Sequence, residues 1–403
     1  VKPIKILLSI FFLLTFYACT PTPQNTDPQK ATASPTPALE VTFEMRFGGS
    51  KRDRGIDLIQ TRDGGYAIIG YTSSFGAGGE DIYLIRTDDQ GRELWTRTYG
   101  GPDNDNGWAI LETSDGNFVI LGFTNSYGNG GMDTYLIKTD SQGNELWETT
   151  FGGPNNEYGW ALDQTSDGGY VLAGQTDSFG EGGIDGYLIK VNSDGQELWS
   201  QVYGGPQEDR LFSIDSCADS GFILTGTTGT SSRIRDVYLV KTNADGELVW
   251  SQTFGEDLDD VGHAVRQTDE GGFIVAGYTK NFDASNYDTL MIKTDQDGNL
   301  EWQKLYGGIL DDRTISIEQT QDQGFILVGY TQSFGGGNWD VFLVRTDPNG
   351  DVLWHDTFGG ILEDTGYTVK QTPDHSFILT GETHTSSQGG GDLYFIKVEE
   401  ESE

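Results

Sequence analysis

Residues 99–151 read YGGPDNDNGWAILETSDGNFVILGFTNSYGNGGMDTYLIKTDSQGNELWETTF, and their pattern decides the fold. Trp108 to Thr113 is followed by a Ser-Asp-Gly-Asn turn, then by Phe118 to Thr124. A glycine-rich loop leads to Thr134 to Thr139, and a Ser-Gln-Gly-Asn turn leads to Glu145 to Phe151. The runs are rich in β-branched and aromatic residues, and the turns supply the Gly, Asn and Asp that tight hairpins need. The stretch therefore predicts four antiparallel strands. No ten-residue segment after the first forty residues has convincing helical periodicity.

Working outward, the same unit recurs along the chain. An aromatic residue followed by Gly stands at Phe47, Tyr99, Phe151, Tyr203, Phe254, Tyr306 and Phe358, always 51 or 52 residues apart. Trp95, Trp147, Trp199, Trp250, Trp302 and Trp354 each lie four residues before the next such step. A Gly-x-Thr ends at Thr72, Thr124, Thr176, Thr228, Thr279, Thr331 and Thr383. Seven units of four strands predict an all-β, seven-bladed β-propeller. The seventh unit stops at Lys397 without a fourth strand, and the missing piece is found at Glu40 to Phe47, with Phe43 in the tryptophan position. An N-terminal strand completing the last blade would close the ring and leave no terminal repeat exposed. An open β-solenoid is the alternative. The propeller is expected over 41–398, followed by an acidic tail at 399–403.

Asp347-Pro348-Asn349-Gly350-Asp351-Val352-Leu353-Trp354, followed by Phe358-Gly359-Gly360, resembles the bacterial SBBP-type β-propeller repeat. The same frame recurs in the other units, so the resemblance covers about residues 41 to 397. More loosely, the Gly-x-x-x-Trp spacing is similar to that of quinoprotein-like propellers, whose tryptophans dock neighbouring blades. The Asp-to-Gly spacing here is one residue shorter than in that motif, so no cofactor is implied. The resemblance implies a fold and no common reaction.

The N-terminus reads as a targeting segment. Lys2 and Lys5 precede the apolar run Ile6 to Ala18, which is shorter than the ~20 residues of a spanning helix. Ala18-Cys19 resembles the cleavage and acylation site of a bacterial lipoprotein, giving a signal peptide at 1–18 and a lipid on Cys19; an ordinary signal peptide is the other reading. A Pro-, Thr- and Ser-rich tether then occupies 19–40. The expected location is the bacterial cell envelope or surface, with the membrane engaged through the lipid alone. A net charge of −37 argues against nucleic acid as a partner, because phosphate would be repelled. Apart from Cys19, the only cysteine is Cys217, where other units carry Thr; it is expected to be a buried small hydrophobe within a strand.

Several polar positions recur in all units. An acid stands six residues after each aromatic: Asp53, Asp105, Glu157, Asp209, Asp260, Asp312 and Asp364. A second acid opens the third strand at Asp81, Asp133, Asp185, Asp236, Asp288, Asp340 and Asp392, with a base five residues on. Residues present in every blade are most simply blade-building parts, capping turn amides and fixing a loop by an ion pair. The alternative is calcium, for which Asp103 and Asp105 in the Asp103-Asn104-Asp105-Asn106-Gly107 cluster are the candidates. No other metal or cofactor is expected. His263, His355, His375 and His384 fall at four different repeat phases, and no nucleophile elbow or phosphate loop occurs.

Two groups are candidates for ligand binding. Phe75, Tyr127, Phe179, Phe282 and Phe334 tip the glycine-rich loops between the second and third strands, either exposed for sugars or peptides or folded against their own blades. Arg210, Arg233 and Arg235 gather in the fourth unit, as an anion site or as partners of neighbouring acids. These features point to a monomeric, non-enzymatic envelope scaffold recognising a protein or glycan through its loop rim. The alternative is an extracytoplasmic carbohydrate-active hydrolase or lyase using rim carboxylates, favoured if two buried carboxylates with raised pKa meet in the central funnel.

Overall fold

A computed structural model describes residues 39–231, 234–255, 258–280, 286–387 and 389–400. The signal segment with Cys19, most of the tether, Phe282 and Arg233 lie outside the described residues. Among the described residues the chain forms 28 strands and no helix, arranged as seven four-stranded antiparallel sheets. In six sheets the strands follow chain order, as in Asp53–Gln60, Tyr66–Thr72, Asp81–Thr87 and Glu93–Tyr99 of blade one. The seventh uses Asp364–Gln371, Phe377–Thr383, Asp392–Glu400 and the N-terminal strand Leu39–Phe47. The ring is thus closed as the sequence predicts. The closing pair is longer than expected: Leu39, read as tether, pairs with Glu400, and Glu40 pairs with Glu399, both of those glutamates read as tail.

The first strands of neighbouring blades contact one another around the whole circle, which places them at the axis. They span Asp53–Gln60, Asp105–Glu112, Glu157–Gln164, Asp209–Ser216, Asp260–Gln267, Asp312–Gln319 and Asp364–Gln371. Second and third strands are almost wholly buried, whereas the fourth strands form the exposed perimeter. Each core cluster belongs to two blades: Ile69, Ile82 and Leu84 of blade one pack with Ile110, Ile120 and Tyr135 of blade two. Apolar burial therefore glues blade to blade, and no blade has a core of its own.

The recurring tryptophan is part of that glue. Gly143 sits in the last hairpin turn of blade two at φ +75, and a Cβ there would come within 2.8 Å of the Trp95 ring of blade one. Only glycine allows both the left-handed turn and the close approach. Trp147 meets Gly195 in the same way, Trp199 meets Gly246, Trp250 meets Gly298 and Trp302 meets Gly350. Across the closure, Phe43 of blade seven lies against Gly91 of blade one. Blade seven has no such turn, and there Trp354 Nε1 donates to Glu400 Oε1 at 2.8 Å.

Cys217 is buried, as expected, but lies one residue beyond the strand Asp209–Ser216 and opens its hairpin turn. Burial pushes its thiol up to about 12.

Candidate functional site

The recurring acids turn out to hold the upper loops, those that enter the first strands and join second to third. Asp53 accepts from Gly49 N at 2.7 Å, from Ser74 Oγ at 2.7 Å and from Thr72 Oγ1. Thr72 Oγ1 in turn accepts from Ser74 N and Phe75 N. Asp105, Asp312 and Asp364 repeat the arrangement, whereas the longer Glu157 accepts from Thr176 Oγ1 and from the backbone N of Ser178. Of the second acids, Asp81, Asp133 and Asp340 cap their glycine-rich loops, as Asp133 does for Asn129 N and Gly130 N at 2.9 and 3.3 Å. The bases reach the lower face instead, where Lys190, Lys241 and Lys397 pair with Asp167, Asp219 and Asp374 of the first hairpin turns at 2.8–2.9 Å.

Asp105 is wholly buried and engaged with Gly101 N, Ser126 Oγ and Thr124 Oγ1, while the backbone amide of Asp103 donates to Ser126 Oγ at 3.0 Å. Among the described residues, no group of three or more His, Cys, Asp or Glu is placed to hold a metal ion.

The aromatic loop tips stay apart from one another. Phe75, Tyr127 and Phe179 each lie 5.7 Å from the third-strand tyrosine of the same blade, Tyr83, Tyr135 or Tyr187, with the other face open. Phe334 lies on Phe342 at 5.4 Å and beside His355. Each of these four described rings is folded on its own blade. Of the blade-four arginines, Arg210 pairs with Glu208 at 2.8 Å. Arg235 makes a two-point pair with Asp259 at the start of blade five, at 2.7 and 2.6 Å. Both described guanidinium groups are therefore already matched to acids.

A different set of residues converges. In every first strand the register with the second strand slips by one residue, between Gly55 and Asp57 in blade one and at the equivalent place in the other six. The skipped residues are Ile56, Trp108, Trp160, Phe212, His263, Ile315 and Tyr367. A bulge leaves its extra residue unpaired and re-aims the side chain. Here the re-aimed rings meet between blades: Trp108 and Trp160 stand edge to face at 4.5 Å, Trp160 and Phe212 lie 6.4 Å apart, and Phe212 stacks on His263 at 5.2 Å. Tyr158 stacks on Trp160, and Phe123 touches both.

The aromatic lining continues around the upper mouth. His263 contacts Tyr278, which meets Tyr287 at 5.2 Å. The Arg313 guanidinium lies over Tyr278, Tyr287 and Trp339 at 5.1, 4.3 and 5.8 Å, and Trp339 meets Tyr330 at 5.0 Å. Arg54 lies over Tyr71 and Tyr367 and pairs with the buried Glu382, which also binds Arg52. Burial, reinforced by Arg313 and Arg235, lowers His263 to about 4, so its imidazole is neutral near pH 7. Burial also pushes Tyr278 up to about 12, keeping it a hydrogen-bond donor. Trp108 Nε1, Trp160 Nε1 and Arg313 Nε are buried donors with no acceptor, a costly state in a polar-lined site.

Below the bulges the same strands carry charge. Asp57, Asp163 and Asp215 accept backbone N–H bonds from the next blade, at Ile110, Ser216 and Gln267, over 2.8–3.1 Å. Burial raises Asp57 and Asp215, against the opposing pull of Lys370 and Arg266.

No known family profile matches the chain. Regulatory protein FlaEY of Caulobacter vibrioides is 26% identical over 324 residues, covering 72% of this chain and 32% of the relative. The chain thus spans about a third of the length of that relative. Among solved structures, the Pan2 WD40 domain of Neurospora crassa aligns with a TM-score of 0.52 at 7% identity, covering 91% of this chain and 97% of that one. BBS1N in complex with ARL6DN gives 0.51 at 10% identity, covering 88% and 96%. YCF48 bound to D1 peptide gives 0.50 at 9% identity, covering 94% and 99%. At these identities the likeness is one of propeller fold alone.

Proposed function

We propose that this propeller is a non-enzymatic binding module that recognises a protein or glycan through the aromatic mouth of its upper face. The observation that carries this reading is the continuous aromatic lining from Trp108 through Trp160, Phe212 and His263 to Tyr287. Flat aromatic faces suit the apolar face of a sugar ring or an apolar side chain. YCF48 and BBS1N, similar in fold, have been solved in complex with D1 peptide and with ARL6DN. Acylation of Cys19 would hold the module at the bacterial envelope, and the repeats would belong to the SBBP-type propellers.

The test is affinity capture from native envelope extract on residues 39–403, with calcium or chelator, alongside the Trp160→Ala/Tyr287→Ala variant. Reproducible recovery of one protein or glycan, lost in the variant, is expected. Recovery unchanged by the variant removes the mouth as the site. Metabolic labelling with a fatty-acid probe in the full-length chain, lost in Cys19→Ala, tests the anchor.

A second reading keeps one specific support. Asp57 and Asp215 are buried carboxylates of raised pKa on the innermost strands, though they stand on blades one and four and each accepts a backbone N–H of the next blade. Turnover of a polysaccharide panel, abolished separately by Asp57→Asn and Asp215→Asn, would favour it over binding alone.

A further inference from the structure

We propose that two aliphatic crests beside the mouth, Ile309–Leu310 and Ile361–Leu362, dock an extended polypeptide segment that is apolar and net basic. The inference rests on the upper face being the recognition surface and adds the class of partner and a contact outside the mouth. Ile309 and Ile361 are each 80% exposed, and Leu310 and Leu362 are 47% and 46% exposed. The same loop in the five earlier blades carries Ser50-Lys51, Pro102-Asp103, Pro154-Asn155, Pro206-Gln207 and Asp257-Leu258, none of them an aliphatic pair. Two aliphatic pairs on consecutive blades are therefore a departure from the repeat, placed where the repeat itself asks for nothing apolar.

These side chains are held outward by the same capping that fixes the other loops. Gly308 N donates to Asp312 Oδ2 at 2.7 Å, Leu310 N to Ser333 Oγ at 3.0 Å, and Asn286 Nδ2 to the Leu310 carbonyl at 2.8 Å. In the next loop Gly360 N donates to Asp364 Oδ2 and Asp364 N to the Trp339 carbonyl, both at 2.8 Å. With the backbone fixed at both ends, the isoleucines have no interior to turn towards. Exposed apolar groups on a rigid frame lose little freedom on contact, which is how a docking surface differs from a sticky loop.

The partner's chemistry follows from shape and charge. Branched aliphatic tips offer no flat face to a sugar ring and no hydrogen bond to its hydroxyls, so an apolar side chain is the matching surface. Two crests one blade apart suit an extended chain whose alternate side chains point the same way. The chain carries 62 acidic and 25 basic residues, and the exposed Glu363 follows the second crest directly. Such a field draws cationic segments in and turns anionic ones away.

Three labelled peptides of equal length, alternating Leu/Lys, Leu/Glu or Ser/Lys, provide the probe, read by fluorescence anisotropy on residues 39–403. The Leu/Lys peptide is expected to bind on the order of 10-fold more tightly than either other, and Ile309→Ser/Ile361→Ser to erase that margin. These substitutions alter exposed side chains and leave net charge unchanged. Equal binding of the Ser/Lys peptide, or full binding by the variant, overturns the crests as the docking surface. A retained Leu/Lys preference in the crest variant that is lost in Trp160→Ala/Tyr287→Ala assigns the contact to the mouth alone, so the proposed function stands while this inference falls. Absence of binding by all three peptides also overturns it, leaving glycan arrays to decide the mouth. Concentration-dependent sedimentation that disappears in the crest variant would instead show a second copy as the occupant and overturn the peptide.

Discussion

The outermost and innermost strands of each blade come from one repeat, and they use it in opposite ways. On the outer strands the same contact is made again and again: an aromatic ring under the glycine of the next blade, from Trp95 and Gly143 round to Phe43 and Gly91. On the inner strands one geometric device, the bulge, is kept in all seven blades while its residue changes from Ile56 to Trp108, Trp160, Phe212, His263, Ile315 and Tyr367. Sameness marks what assembles the ring. Variation at a fixed, inward-aimed position marks what distinguishes this ring from another with the same fold.

The contrast is easiest to break at the closure. Phe43→Ala removes a buried ring that packs on Tyr66 and Phe395, and is expected to cost about 3–5 kcal/mol in denaturant unfolding. Amide exchange should rise first along Leu39–Phe47 and Asp392–Glu400. Next comes Gly143→Ala, which strains a left-handed turn and presses on Trp95, for a loss of about 2–4 kcal/mol. If the outer contacts build the ring, both variants should weaken ligand binding only as far as they unfold the protein.

Trp160→Ala should do the reverse. It deletes aromatic contacts with Trp108, Tyr158 and Phe212 from a partly buried lining and is expected to lower stability by about 1–2 kcal/mol. Binding of the captured partner should fall at least about tenfold with the fold intact by circular dichroism. Equal damage to stability and binding would erase the distinction between inner and outer strands.

The smallest effect concerns pH. Asp185 is raised to about 6 by burial and by the neighbouring Asp209 charge. Because that lies above its ordinary value of 3.8, its contribution to stability is full below that value and fades as pH rises through about 6. Asp185→Asn should therefore raise the melting temperature at pH 7 and lose most of that advantage by pH 4. Asp374, held low by Lys397 and by hydroxyl and amide donors, has the opposite dependence. Asp374→Asn should be most harmful at neutral pH and progressively less so in acid.

Much of the architecture was legible because it is written locally. Turn residues, β-rich runs and the displaced fourth strand needed no long-range contact to be recognised. The site was less legible. For Phe75, Tyr127 and Phe179 the sequence leaves open exposure or folding against the same blade, and each both rests on its own blade and keeps over a third of its surface exposed. For Arg210 and Arg235 the sequence leaves open an anion site or pairing with neighbouring acids, and an acid stands beside each. His263 was read among four histidines at unrelated phases, when its true companions are the rings at its own phase in other blades. Comparing Trp108, Trp160, Phe212, His263 and Tyr367 down one repeat column would have exposed them.

What the sequence determined by itself was the unit, the number of units and the way the ring closes, because each follows from patterns a few residues long repeated at a constant interval. Only the tertiary structure decided which side chains share a site. Residues one blade apart in the mouth are about a full repeat apart in the chain, and Arg54 meets Glu382 across the closure. The alternation of a strand also fails at a bulge, since the skipped residue escapes the period of two that assigns its neighbours to a face.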